Sequence, residues 1–301
     1  MTASRSGARG EAGSARTRGA SAGAARSASL ADLLRNAHFE VLPLNGIEDR
    51  VRAALGTDVK VTVTASPSRG IEATLEVTER LTRAGYATVP HVSARLVRDH
   101  AHLEEVLDRA LAAGVRELFV LAGDAPEPAG EFHGAVDLLE AMGSRRREFD
   151  AIGITGYPES HHLISDEETI RAMFAKAPMA THIVSQLCFD TDVLCAWIKD
   201  VRRRGTDLPI WIGLPGPVPY SKLLRVSVKI GLGESTRFLS HHRNWLSRLL
   251  RRQFKPDRLV DGLTPCVTDP AARVGGFHLY TFNEVARTER WRQAALARLD
   301  A

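Results

Sequence analysis

The sequence has few cysteines and no long apolar segment. Its 301 residues include three cysteines, an odd number without C-x-x-C spacing, which argues against a disulfide framework and a structural zinc site. Cys188 and Cys195 lie in apolar sequence, so we expect both to be buried. Neither a stretch of about 20 apolar residues nor the apolar core of a secretion signal stands in the sequence. These features predict a cytoplasmic protein without a membrane partner.

Acidic residues are almost missing from the first thirty positions, which consist mainly of Ala, Gly, Ser, Arg and Thr. Because this segment lacks apolar side chains to offset the entropy of ordering, we predict a disordered tail over residues 1–30 and one folded domain over 31–301. The formal net charge of +4 comes partly from five arginines in the tail. Two further basic clusters, 145–147 and 202–204, fall at predicted helix ends without the base-stacking aromatics of a nucleic-acid site. We therefore predict no nucleic-acid partner.

Short β-branched runs, in contrast, are plentiful, and they alternate with stretches of helical spacing. The eight runs are HFEVLPL from His38, VKVTVTA from Val59, ATVPHVSA from Ala87, ELFVLAG from Glu117, AIGITGY from Ala151, HIVSQLC from His182, PIWIGLP from Pro209 and GGFHLYTF from Gly275. Most are too apolar for half-exposed antiparallel strands. The alternation predicts an α/β fold, the TIM (β/α)8 barrel, with its active site at the C-terminal mouth.

Glycines support this prediction. Gly85, Gly114 and Gly205 each follow a helical stretch and precede a strand, where a residue with positive φ ends a helix at little cost. The rival architecture, a doubly wound open sheet, usually carries a G-x-G-x-x-G turn after its first strand. Residues 44–47 read Leu-Asn-Gly-Ile instead.

Three polar residues lie in or at the end of predicted strands. Glu40 has apolar neighbours in the first strand, and a carboxyl that loses hydration inside a barrel favours its protonated form. Asp124 follows the small residues Ala122 and Gly123, which let a ligand approach the backbone, and its carboxylate can accept hydrogen bonds from a heterocycle. Gln186 offers an amide donor and acceptor to a pteridine or pyrimidine edge. The structural alternatives are an ion pair with Arg or Lys for Glu40 and a turn cap for Asp124.

The eleven histidines do not predict a metal site. His161 with His162, and His241 with His242, are adjacent pairs whose side chains point in different directions in a strand or a helix. No H-x-x-x-H motif lies on a predicted helix. We therefore predict no bound metal.

The strand motifs carry a family resemblance. FEVLPL, VTVTAS, PHVSA, LAGD, GYPESHH, HIVSQLCFD, LPGPVP and GFHLYTFN resemble the successive strand motifs of the methylenetetrahydrofolate reductase family, in the same order and from residue 38 to about 298. One such motif would mean little. Eight in order, on a barrel predicted independently, identify the chain as a member of this family.

The resemblance implies a reductase that converts 5,10-methylenetetrahydrofolate to 5-methyltetrahydrofolate with a hydride from NADH or NADPH. It assigns Glu40, in the F-E-x-x-P motif, as the general acid that assists opening of the folate ring. It assigns Asp124 and Gln186 as substrate contacts. The family's flavin contacts fall here on Thr64, His91, Gly123, Asp124, Tyr157 and His161.

Other flavin contacts differ from the family pattern. The arginine of L-R-G-D is Ala122, and the glycine of Y-P-E-G-H is Ser160. The helix that contributes polar and cationic side chains to the nucleotide half of FAD reads Glu168, Arg171, Phe174 and Ala175, followed by Lys176. An alanine cannot replace an arginine that binds phosphate through two hydrogen bonds. Two routes therefore stay open: hydride transfer through FAD, or direct transfer as in a divergent branch of the family that works without flavin.

Two other functions are weighed against this one. A barrel of the family that lost its flavin contacts could serve as a non-catalytic folate-binding or methyl-transfer accessory protein, although simple folate storage does not need the proton donor Glu40. An unrelated aldolase or decarboxylase barrel usually needs a strand-end lysine or a metal cluster. The strands contain one lysine, Lys60, at the start of its run and so at the wrong end of the barrel.

Overall fold

The computed structural model of the protein describes residues 29–159, 166–222 and 253–300. The predicted tail lies outside the described residues except for Ser29 and Leu30. Ser29 caps helix α1 (Leu30–Arg35): its hydroxyl accepts a hydrogen bond from the Asp32 N–H at 3.1 Å, and the Asp32 carboxylate accepts one from the Ser29 N–H. This reciprocal capping satisfies two free donors of the first helical turn. The helical part therefore starts one residue before the predicted domain boundary.

Eight parallel strands form a closed barrel, which confirms the predicted fold. In chain order the ten strands of the described residues are β1 (His38–Val41), β2 (Val61–Val63), β3 (Thr88–Ser93), β4 (Glu117–Leu121), β5 (Ala151–Gly156), β6 (His182–Ser185), β7 (Ile210–Pro215), β8 (Val218–Pro219), β9 (Gln253–Phe254) and β10 (Val274–Tyr280). Strands β1 to β7 follow one another around the barrel, and β10 closes it between β7 and β1. Seven predicted runs each contain one barrel strand, and the eighth overlaps β10, which begins one residue earlier at Val274. Strands β8 and β9 form a separate antiparallel pair.

Helices cover the outside of the barrel. Besides α1, those with described bounds are α2 (Ile47–Ala54), α3 (Gly70–Arg83), α4 (His100–Ala112), α5 (Ala135–Ala141), α6 (Asp166–Lys176), α7 (Thr191–Arg203), α8 (Asp257–Val267) and α9 (Val285–Leu299). Gly85 and Gly114 follow α3 and α4 with φ values of 93° and 88°. Both glycines have the left-handed conformation that the sequence predicted. Within the described ranges, no helix is both long and apolar enough to cross a membrane.

The barrel interior is packed with side chains from alternating strand positions. Val89, Phe119 and Val184 form a buried apolar cluster drawn from β3, β4 and β6. Near the N-terminal ends of the strands, Lys60 forms an ion pair with Glu117. Lys60 therefore lies at the end of the barrel opposite the mouth, as its sequence position predicted.

The cysteines differ from the prediction in two respects. Cys188 is fully buried and free, as expected, but Cys195 is only partly buried and forms a disulfide bond with Cys266. The bond joins α7 to α8, which pack against each other on the outside of the barrel. The sequence argued against a disulfide framework and did not predict this bond, because an odd cysteine count does not show which helices become neighbours.

Candidate functional site

Glu40 lies on β1 with its carboxyl at the centre of a buried polar group. Its Oε2 atom is 3.1 Å from Nε2 of His278 on β10 and 4.0 Å from Nε2 of His91 on β3. The Glu40 side chain is 15% exposed, whereas those of the two histidines are 1% and 2% exposed. The acid that the sequence singled out is therefore paired with imidazoles and not with Arg or Lys.

The hydrogen bond between Glu40 and His278 has a preferred direction. Nδ1 of His278 is buried and has no hydrogen-bond partner in the part of the chain that the structure describes. A proton on Nδ1 would bury an unpaired N–H, so the proton belongs on Nε2, which donates to Oε2 of Glu40. Among the described residues, the other carboxyl oxygen, Oε1, has no protein donor. Oε1 is therefore the oxygen available to a substrate.

His91 is neutral at physiological pH. Burial lowers its pKa well below the usual range, and the neighbouring His278 lowers it further. Its ring packs edge-on against Phe119, with the ring centres 4.7 Å apart. Nε2 of His91 is buried without a hydrogen-bond partner among residues 29–159, 166–222 and 253–300. The ring of His91, which the sequence analysis assigned to cofactor binding, lies inside the barrel with its Nε2 atom 4.0 Å from Oε2 of Glu40.

The turn after β10 holds the end of β1 in place. Thr281 donates a hydrogen bond from its hydroxyl to the Glu40 carbonyl at 2.6 Å. The Asn283 side chain pairs with both backbone groups of Leu42, at 2.8 and 3.1 Å. Phe282 and Asn283 have φ values of 50° and 63°, which non-glycine residues rarely adopt. The surrounding contacts hold this strained turn, and the turn in turn fixes the backbone of Glu40.

Asp124 and Tyr157 are electrostatic neighbours across the ends of β4 and β5. Burial raises the pKa of Tyr157, a hydrogen bond to Thr155 opposes this rise, and the Asp124 carboxylate adds to it. Asp124 itself is exposed. Gly123 before it has a φ of 92°, and a Cβ atom there would collide with the Ser93 hydroxyl. The backbone can make this close approach only with glycine at position 123.

Gln186 follows β6, and one end of its side-chain amide is hydrogen-bonded. Its Oε1 accepts a hydrogen bond from the Leu187 N–H at 2.8 Å, and its NH2 group has no acceptor among the residues that the structure describes. Tyr280 donates from its hydroxyl to the Ser185 carbonyl at 3.3 Å, beside Gln186. Burial raises the pKa of Tyr280 well above its usual value, and the charges of Glu40 and Tyr157 raise it further. Tyr280 therefore remains a neutral phenol between Gln186 and Glu40.

Lys176 is the buried cation of this region. It donates hydrogen bonds to the Thr155 hydroxyl at 2.8 Å and to the Thr155 carbonyl at 3.3 Å. Burial lowers its pKa to about 8. No carboxylate of the described residues lies within ion-pair distance of it. Lys176 thus remains largely charged at pH 7.

Two positions on α6, Arg171 and Phe174, depart from the family's FAD pattern. Arg171 on α6 is exposed and pairs with Glu167 at 3.3 Å, and Phe174 packs against the hydrophobic core. With Ala122 in place of an arginine, the described part of the site offers Lys176 but no arginine pair for a pyrophosphate. The described residues therefore do not fit the nucleotide half of FAD.

A cluster of apolar side chains, here called the apolar wall, borders the barrel mouth and includes Tyr280. It consists of buried Leu187, Val218 and Phe282 with partly buried Phe189, Tyr220, Phe254 and Tyr280. Leu187 and Phe189 follow β6, Tyr280 and Phe282 lie at the end of β10, and the others lie in or next to the β8–β9 pair. A planar ring bound against this wall would be shielded from water on one side.

The structure brings together some predicted site residues and adds others. Glu40 lies beside His91, and Asp124 lies beside Tyr157. Thr64 stands at the end of β2, where its N–H donates to the Val41 carbonyl at 2.9 Å, whereas the predicted contact His161 lies outside the described residues. The sequence reasoning missed His278 and Tyr280. Their signal was the alternation in GGFHLYTF, which places both on the barrel-facing side of the last strand.

The carboxyl and the two imidazoles also have a spacing that suits a metal ion. One ligand atom from each of Glu40, His91 and His278 lies within 4.8 Å of the other two. The sequence predicted no metal site because the three residues lie on three different strands.

Comparisons with known proteins show which family the chain resembles. Residues 43–229, more than half of the chain, match the family model for methylenetetrahydrofolate reductase. A relative in Saccharomyces cerevisiae, methylenetetrahydrofolate reductase 2, is 28% identical over 134 residues, which cover 41% of this chain and 22% of the relative. Methylenetetrahydrofolate reductase (NADH) 1 of Arabidopsis thaliana is 26% identical over 137 residues, covering 40% of this chain and 23% of the relative. The chain thus spans less than a quarter of the length of these curated relatives.

One further relative and one solved structure also resemble the chain. A probable methylenetetrahydrofolate reductase (NADPH) of Caenorhabditis elegans is 26% identical over 129 residues, covering 40% of this chain and 19% of the relative. Among solved structures, a GH18 chitinase from Pseudoalteromonas aurantia superposes with a TM-score of 0.53 at 9% identity, covering 87% of this chain and 99% of the chitinase. At that identity the likeness shows the barrel fold alone.

Proposed function

The chain belongs to the methylenetetrahydrofolate reductase family, and we propose that it reduces 5,10-methylenetetrahydrofolate to 5-methyltetrahydrofolate with a hydride from NADH or NADPH. The observation that carries this proposal is the buried pair of Glu40 and His278, 3.1 Å apart near the barrel mouth. The reaction consumes one folate, one hydride and one proton. It therefore needs a proton donor at the folate, sheltered from water.

Glu40 is the proposed proton donor. Opening the five-membered ring of the folate breaks a bond to N10, and N10 leaves more readily when it receives a proton. The N–H of His278 occupies Oε2 of Glu40, so Oε1 carries the proton and delivers it to N10. General acid assistance of this kind contributes about 10²–10⁴-fold to the rate.

Asp124 and Gln186 are the proposed contacts of the pterin. The exposed Asp124 carboxylate accepts hydrogen bonds, and the free amide NH2 group of Gln186 donates them. A pterin edge presents amino and ring N–H groups as donors and a carbonyl as an acceptor, so the two side chains complement it. Neutral Tyr280, beside Gln186, adds no charge that would repel Glu40 once Glu40 has lost its proton.

The apolar wall is the proposed surface for the ring of the hydride donor. A nicotinamide supplies a hydride when bound. The wall residues exclude water from one side of the reacting carbon, and Lys176 provides positive charge for an anionic part of the dinucleotide. The names of relatives specify NADH or NADPH for those proteins. Since the described residues do not fit the nucleotide half of FAD, we favour direct transfer from the nicotinamide.

The function is tested by product analysis. Purified protein is incubated with NADH or NADPH and methylenetetrahydrofolate, nucleotide oxidation is followed by absorbance, and 5-methyltetrahydrofolate is identified by chromatography. We expect stoichiometric oxidation and product. Folate binding without either signal would instead support a non-catalytic accessory barrel.

A further inference from the structure

Glu40, His91 and His278 form a compact set of metal ligands inside the barrel. Nε2 of His278 lies 3.1 Å and Nε2 of His91 lies 4.0 Å from the same carboxyl oxygen, Oε2 of Glu40. All three ligand atoms lie within 4.8 Å of one another. Two imidazoles and one carboxylate are the donor set that Zn²⁺ and similar transition metals use at sites with an open position. A small inward shift of the side chains, with the proton of His278 moved from Nε2 to Nδ1, would bring all three ligand atoms into coordination distance.

His91 provides an independent observation that points to a ligand. Its Nε2 atom is buried and has no hydrogen-bond partner among the described residues, although it faces the Glu40 carboxyl. A buried polar atom without a partner lowers stability because its hydration is lost and not replaced. A cation bound between this nitrogen and the Glu40 carboxyl would give the buried atom a partner.

We propose that Glu40, His91 and His278 bind one divalent transition metal of the Zn²⁺ class, and that the bound metal inhibits the enzyme. Inhibition rests on the proposed function, because a metal on the Glu40 carboxyl excludes the proton that this carboxyl delivers to the folate. Binding itself does not depend on that function. The partly exposed side chain of Glu40 marks the route from the mouth. Mg²⁺ and Ca²⁺, which prefer all-oxygen ligand sets, should not compete.

The test uses the full chain without a polyhistidine tag, treated with EDTA and desalted. Zn²⁺ binding is measured by isothermal titration calorimetry, and Co²⁺ binding by the visible absorption of the coordinated ion. We expect one equivalent of either metal to bind, with Mg²⁺ giving no signal. Glu40→Gln and His91→Gln should each weaken binding more than about tenfold. The control His100→Gln, which removes an exposed imidazole 3.8 Å from Glu131, should bind as the unmodified protein does.

A second measurement does not depend on variants that fold. In the Co²⁺ form of the unmodified protein, NMR should show two exchangeable, strongly shifted imidazole N–H signals, one from each coordinating histidine. Zn²⁺ at concentrations that fill the site should also stop turnover, and EDTA should restore it. The proposal is overturned if no saturable binding occurs, if the NMR signals are missing, or if both ligand variants bind metal normally. Because the titration needs no turnover, failure of the metal site and failure of the proposed reductase activity are distinguished.

Discussion

Nε2 of His278 lies 3.1 Å from Oε2 of Glu40, although the two residues are 238 positions apart in the sequence. Strands β1 and β10 pair in parallel, with Glu40 opposite Tyr280 and His38 opposite His278. This register places His278 one inward-facing layer below the carboxyl. The imidazole therefore holds one carboxyl oxygen from beneath, and the other oxygen is left to the substrate.

Glu40→Gln should abolish most turnover. The amide oxygen can still accept the hydrogen bond from His278, so the variant should fold, but it cannot donate an acidic proton to N10. We expect kcat to fall by about two orders of magnitude or more while methylenetetrahydrofolate still binds. Steady-state kinetics and equilibrium dialysis check this. Glu140→Gln, which alters an exposed carboxyl on α5, is the control, and activity near that of the control would remove Glu40 from the mechanism.

Gln186→Glu should impair folate use selectively. The new carboxylate keeps an acceptor for the Leu187 N–H but lacks the NH2 donor that we assign to the pterin. We expect kcat/KM for the folate to fall by about 1–3 kcal/mol in transition-state free energy, and Asp124→Asn to have a similar effect. Glu127→Gln, in the same loop as Asp124, is the matched control. Unchanged folate kinetics in both variants would place the pterin elsewhere.

Protein purified without added flavin should be colourless and active with NADH. Ala122 and Phe174 stand where flavin-dependent relatives are expected to carry polar or cationic side chains, and Arg171 pairs with Glu167. Direct transfer requires both substrates to bind at once, so initial-rate plots at several folate concentrations should intersect. Stoichiometric FAD after gel filtration, together with parallel lines, would contradict direct transfer.

Lys176 should give the protein a distinctive pH dependence of stability. Burial lowers its pKa from 10.5 to about 8, so between these values the unfolded chain binds a proton that the folded chain does not. The free energy of unfolding should therefore rise with pH across this window, by up to about 3 kcal/mol from this group. Urea denaturation at pH 7 and pH 10 checks this. The rise should be smaller in Lys176→Met than in Lys199→Met, whose lysine is exposed, and equal rises would refute the assignment.

The disulfide should stabilise the outer helices. Cys195 and Cys266 are separated by 71 residues, so the bond restricts a long loop of the unfolded chain. Cys195→Ser should lower the free energy of unfolding by about 2–4 kcal/mol. Denaturation of the oxidised and reduced protein and of the variant gives the measurement. Reduction should have no further effect on Cys195→Ser, and unchanged stability in the variant would show that the bond does not form in solution.

The sequence by itself determined the barrel and the place of Glu40 in its first strand. Apolar, β-branched runs separated by helical stretches have few ways to bury both faces of every strand, so the fold class followed from the pattern. Positive φ at Gly85 and Gly114 was equally predictable, since each glycine stands directly after a helical stretch. The position of Glu40 inside a strand marked it as a group with unusual surroundings before its partners were known.

Only the tertiary structure decided those partners. Closure of the barrel by β10 brings His278 beneath Glu40, and the order of strands places Nε2 of His91 4.0 Å from the same carboxyl oxygen. The bond between Cys195 and Cys266 depends in the same way on the packing of α7 against α8. Local sequence determines strand, helix and turn because their hydrogen bonds join near neighbours. Contacts between distant residues depend on register and closure, which the whole chain determines together.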